Sequence, residues 1–229
     1  MQKTELQIQG IPCVLWGTPS NRLYVHVHGK HSRKEYAESF AQIAEEKGYQ
    51  TLSFDLPEHG ERKDSARCDV WNGVRELRLI ADYVFSHWQE VSLFACSLGA
   101  YFSLQAYSDA PFHKCLFQSP IADMQHLVRQ MMLWFSVTEE TLEEAGEIDT
   151  PIDPLRWDYY QYIQRHPVTK WPIATAILYG AKDDMQSAEV MQDFAERFQC
   201  RLSIAENCEH AFMQPGDDEI VGNWLRENI

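Results

Sequence analysis

Apolar and polar positions repeat along this chain with two periods, and the two alternate. Alternation or short apolar runs predict strands at 5–8, 13–16, 22–28, 51–56, 91–94 and 115–117. In the third of these, Leu23, Val25 and Val27 share one face. Helical spacing predicts a helix over 35–47, where Tyr36, Phe40 and Ile43 form a stripe that Gly48 ends. A long helix is predicted over 70–88, with Val74, Leu77, Ala81, Val84 and Trp88 on one side, and another over 98–107.

The rhythm breaks after Ser119-Pro120. Residues 121–171 contain no strand-like run; instead 123–135, 138–145 and 154–165 read as three helices, the second acidic and the third aromatic. Alternation then resumes with a strand at 173–179, a helix at 187–198, a strand at 201–205 and a helix at 217–227. Strands separated by helices imply a mostly parallel sheet of about eight strands covered on both faces. The expected organisation is one domain over 1–229, with a helical cap inserted at about 121–171.

Composition adds limits. A length of 229 residues suits one large domain, and 45% apolar residues suffice for its core. A net charge of −14 disfavours nucleic acid or an anionic membrane surface as partner. No apolar run approaches the ~20 residues of a membrane helix, and residues 1–10 are too polar for a signal peptide. Six cysteines without a C-x-x-C pair read as reduced thiols. A cytoplasmic protein without stable membrane insertion is expected.

The stretch Ala95-Cys96-Ser97-Leu98-Gly99 joins a predicted strand directly to a predicted helix. So sharp a turn leaves room only for small residues two places before and after its apex, and lifts the apex side chain clear of the sheet. Ser97 meets that condition. Cys96 does not, because Phe94 and Leu98 would flank it. A serine hydroxyl needs a base within reach and the base needs a carboxylate. Two later strand ends offer both: the strand at 173–179 runs into Gly180-Ala181-Lys182-Asp183-Asp184, and that at 201–205 into Glu206-Asn207-Cys208-Glu209-His210.

These segments resemble the α/β-hydrolase fold superfamily along nearly the full chain. Its small-x-Ser-x-small elbow corresponds to 95–99, its Gly-x-x-Asp to Gly180-Ala181-Lys182-Asp183, its late histidine to His210 and its His-Gly turn to His28-Gly29. Asp55-Leu56-Pro57-Glu58-His59-Gly60 also resembles a family stretch, with glutamate where glycine is usual. The resemblance implies an α/β-hydrolase fold and the serine nucleophile Ser97, the base His210 and the acid Asp183. It also implies an oxyanion hole from the backbone N–H groups of Lys30 and Leu98, and no cofactor. Asp184 and Asp123 remain rival acids. The activity implied is hydrolysis of a small carboxylic ester or thioester through an acyl-enzyme, carboxylesterase-like first, with thioesterase or lysophospholipase-like activity beside it. Met131, Trp134, Phe135 and Met185 are candidates for the substrate pocket.

Two other classes stay open. The fold could serve as a non-catalytic binding module closed by its cap. His26, His28 and His31 could instead hold the metal of a metallo-hydrolase, though Lys30 beside them opposes a bound cation. The better reading has His28 bracing the oxyanion turn and His26 as a satisfied core histidine, with Glu58 and His59 shaping a nearby loop. Oligomeric state is not legible from these residues.

Overall fold

The computed structural model describes residues 1–64 and 66–229. Ten strands and eight α-helices are found among them. β1 (Lys3–Ile8) and β2 (Ile11–Trp16) form an antiparallel hairpin at one edge. β2 pairs antiparallel with β4 (Gln50–Phe54), which lies beside β3 (Arg22–Val27). From β3 the sheet runs parallel through β5 (Glu90–Cys96), β6 (Cys115–Gln118), β9 (Thr175–Gly180) and β10 (Arg201–Ala205). The order is β1-β2-β4-β3-β5-β6-β9-β10.

The period-two pattern decides which core each side chain enters. Leu23, Val25 and Val27 of β3 and Leu93 and Ala95 of β5 face the larger core. That core also takes Leu77 and Ile80 of α2 (Val70–His87), Phe102 and Leu104 of α3 (Ser97–Ala106) and Met191 and Phe194 of α7 (Ala188–Arg197). Tyr24 and Phe94, one residue out of step, face a second core with Phe40 and Ile43 of α1 (Glu38–Glu46) and Trp224 and Leu225 of α8 (Asp217–Asn228). β4 and β9 are buried at every position, as central strands covered on both faces must be.

Two expectations need correction. The helix predicted over 35–47 begins as a 3-10 turn, Lys34–Ala37, and becomes α-helical only at α1. The buried Lys34 ammonium, held by a carboxylate of another loop, fixes that first turn before the apolar stripe takes over. The segment 121–171 is not wholly helical. It holds α4 (Met124–Trp134), α5 (Glu139–Ala145) and α6 (Trp157–Arg165), and also the two-residue strands β7 (Glu147–Ile148) and β8 (Leu155–Arg156). These pair antiparallel in a hairpin too short to leave a periodic signal. Among the described residues no helix is long and apolar enough to cross a membrane.

Candidate active site

β5 turns into α3 without a linking residue, and Ser97 at the junction has φ +49°. An L-residue in the left-handed region is strained by roughly 1–2 kcal/mol. The surrounding packing holds it there. A Cβ on Gly99 would lie 2.3 Å from His28 O, so α3 can approach β3 this closely only with glycine at that position. A Cβ on Gly29 would lie 3.0 Å from Ser97 Cβ, which places the turn after β3 directly against the elbow. The Leu98 N–H belongs to the first turn of α3, where the helix offers it no carbonyl.

Two distant strand ends meet this serine. His210 Nε2 lies 2.9 Å from Ser97 Oγ, across 113 residues of chain. His210 Nδ1 lies 2.7 Å from Asp183 Oδ2. The Asp183 side chain is fully buried, and its other oxygen accepts the Met185 and Gln186 N–H groups at 2.8 and 3.1 Å. The two loops lock together where Lys182 N–H donates to Cys208 O at 2.9 Å. A side chain on Gly180 would meet Cys208 O at 2.4 Å. The rival acids lie elsewhere: Asp184 is exposed, and Asp123 caps α4 by accepting the His126 N–H at 2.9 Å.

The histidines of β3 divide their work. His28 donates from Nδ1 to Gly29 O at 2.6 Å, and its Nε2 accepts the Leu56 N–H at 3.1 Å. Burial pulls its imidazole down to about 4, so it stays neutral and keeps an acceptor nitrogen. His59 repeats the arrangement, donating from Nδ1 to Pro57 O at 2.7 Å and accepting the His31 N–H on Nε2 at 3.0 Å. Together they tie the turn after β3 to the loop after β4. His26 is buried and stacked on Phe94, with burial drawing it down to about 3, but its Nδ1 finds no partner. It is therefore a core histidine but not a satisfied one. Among the described residues no three His, Cys, Asp or Glu side chains gather where they could hold a metal ion.

Glu58 has φ +63°, which explains why glycine is usual there. Its carboxylate accepts the Cys68 N–H at 2.6 Å. The sequence reading missed Lys34. Its side chain is 2% exposed, and its ammonium lies 2.9 Å from Asp55 Oδ2. The Asp55 carboxylate also accepts the Lys34 and Glu61 N–H groups, each at 2.9 Å. Burial alone would raise the Asp55 carboxyl, but these donors and the ammonium hold it below its ordinary range. Asp55 stood in a family-like stretch; nothing marked Lys34. The Lys30 side chain forms an ion pair with Asp153, in the loop between β7 and β8.

Of the pocket candidates, Met131 is buried, Phe135 and Met185 pack half-buried against the main core, and Trp134 is 43% exposed. A cavity of about 270 Å³ opens between α3, α4, α6 and α7, lined by Tyr101, Met124, Ile163 and Phe194. Ser97, Asp183 and His210 do not line it, so its size says nothing about their chemistry.

No family model matches this chain. No curated protein matches it either. Solved structures do. Est1E from Butyrivibrio proteoclasticus with ferulic acid bound superposes with a TM-score of 0.80 at 18% identity, over 98% of this chain and 96% of that one. Mouse α/β hydrolase domain-containing protein 10 gives 0.77 at 16% identity, over 99% and 98%. A monoacylglycerol lipase from Paleococcus ferrophilus gives 0.68 at 16% identity, over 95% and 98%. At such identities the likeness is one of fold, and with the sheet order and the strand-to-helix elbow it establishes that this chain has the α/β-hydrolase fold.

Proposed function

We propose that the protein is a serine hydrolase that cleaves small carboxylic esters or thioesters through an acyl-enzyme on Ser97. The observation that carries this reading is the unbroken chain from Ser97 Oγ through the His210 ring to the buried Asp183 carboxylate, 2.9 and 2.7 Å per step. In this reading the neutral imidazole holds its proton on Nδ1, toward Asp183, and offers Nε2 to the Ser97 hydroxyl. As Oγ attacks an acyl carbonyl, Nε2 takes its proton and Asp183 stabilises the imidazolium. The carbonyl oxygen gains negative charge, which the Leu98 and Lys30 N–H groups receive. The proton on Nε2 then passes to the departing alcohol or thiol. Water enters by the same proton route in reverse and frees the acid.

The strain at Ser97 supports the reading, since left-handed non-glycine residues concentrate at working sites. The folds of Est1E with ferulic acid bound and of a monoacylglycerol lipase support ester substrates as the class. The test is a Ser97→Ala variant assayed on p-nitrophenyl esters of graded chain length, beside labelling with a fluorophosphonate. A fall in kcat of about 10⁴ to 10⁶ with loss of label is expected. Full activity in the variant would end the reading.

A further inference from the structure

His210 hangs in a loop whose two sides are both anchored, and one buried carboxylate holds both. Cys208, two residues before it, is 1% exposed, and Phe212, two residues after it, is 7% exposed. Both enter the core formed with Phe94, Leu178, Trp224 and Leu225. Phe212 does so at φ +50°, a strained backbone that needs support from elsewhere. Asp217, at the start of α8 and 5% exposed, reaches back to both sides. Its Oδ1 accepts the Cys208 thiol at 3.3 Å, and its Oδ2 accepts the Gln214 N–H at 3.0 Å. Its own N–H donates to Gln214 O at 3.0 Å, closing the strap. Burial and the Asp217 carboxylate push the Cys208 thiol up to about 11, so it remains an S–H donor at neutral pH.

We infer that Asp217 is the positioning residue of the general base: it fixes the Cys208–Gln214 loop so that His210 meets Asp183 and Ser97 together. The inference rests on the acyl-enzyme reading above. Its physical basis is leverage. The imidazole must satisfy two partners at once, at 2.9 and 2.7 Å. A shift of about 1 Å in such a group can lower a rate about a hundredfold. A carboxylate at a helix N-terminus is also favoured by the exposed N–H groups there, which makes Asp217 a firm anchor for a loop without secondary structure.

A merely structural Asp217 would support the fold and leave His210 no special share. A double-variant cycle on p-nitrophenyl ester hydrolysis separates the two roles. Asp217→Ala is expected to lower kcat about 10- to 100-fold with KM within about twofold. In a His210→Ala background the same change is expected to lower the residual kcat by less than about twofold, because the group it positions is gone. Asp217→Asn keeps an acceptor for Gln214 and is expected to recover most of the rate. If Asp217→Ala does not fold, Cys208→Ala removes one tie only and carries the same cycle, with Cys208→Ser as its rescue. An equal fall in both backgrounds, or full activity in Asp217→Ala, overturns the inference. The outcomes separate it from the underlying reading: a fully active Ser97→Ala overturns that reading itself, whereas an inactive Ser97→Ala beside a fully active Asp217→Ala overturns only the positioning role.

Discussion

Asp183 gives one carboxylate oxygen to His210 at 2.7 Å and the other to two backbone N–H groups of its own loop. The backbone bonds set the carboxylate's plane, and the plane sets the ring. An amide in its place would still fit the loop but would favour the wrong imidazole tautomer. Asp183→Asn is therefore expected to lower kcat by about 10⁴ without unfolding the protein, whereas Asp184→Asn, at an exposed position, should leave it unchanged. Steady-state kinetics with circular dichroism on both variants would decide; equal losses in the two would sink this assignment.

Gly99 allows α3 to approach the backbone of β3, and a methyl group there would press on His28 O at 2.3 Å. Gly99→Ala is expected to destabilise the fold by about 1–3 kcal/mol and to lower kcat more than a surface alanine would. Urea unfolding and kcat on the same preparation would show it. An unchanged midpoint and rate would mean the elbow is looser than these contacts require.

Lys30 should act through its backbone. Its side chain pairs with Asp153 at a partly exposed position, where such pairs contribute about 0.2–1 kcal/mol. Lys30→Met is expected to retain kcat within about fivefold. A loss of two or more decades would show that the ammonium itself takes part.

Acid should weaken the fold through histidines before carboxylates. His26, His28 and His59 are all drawn below their ordinary range by burial, the first two to about 3 and about 4. Below the unfolded value of ~6.5 the unfolded chain binds protons that the folded chain refuses, so stability falls as pH falls. The loss should grow from about pH 6.5 down to about 4 for His28 and about 3 for His26. A His28→Gln variant should show a shallower slope over that window in urea titrations at graded pH. An identical slope would contradict the assignment.

Lys34 and Asp55 form a buried pair between the loops after β3 and β4. Lys34→Met leaves the Asp55 charge buried with only its backbone donors, and a cost of about 3–5 kcal/mol is expected. Thermal unfolding measures it; a change under about 1 kcal/mol would show that the N–H groups of Lys34 and Glu61 suffice.

The strands and helices were legible because each is written in its own few residues. Leu23, Val25 and Val27 fall on one face of any strand, and the stripe from Val74 to Trp88 needs no partner to be seen. The elbow was legible for the same reason, since Ala95 and Gly99 are small to fit a turn that is itself local. The strand ends offered Ser97, His210 and the pair Asp183 and Asp184, and the resemblance of Gly180-Ala181-Lys182-Asp183 to the family's Gly-x-x-Asp is what favoured the first of that pair. The β7–β8 hairpin was not legible, because two residues per strand are fewer than one period of any pattern.

The chain's own pattern marks most of its strands and helices, the β7–β8 hairpin excepted, and the polar residues that stand at strand ends. Those are consequences of local backbone preference and of burial periodicity. Packing in three dimensions brings His210 to Asp183 while Asp184 stays exposed, sets Lys34 against Asp55 and ties Asp217 to the histidine loop. Each of these contacts joins groups that local pattern leaves free, since a buried polar group must find its partner in space and no periodicity records where that partner lies.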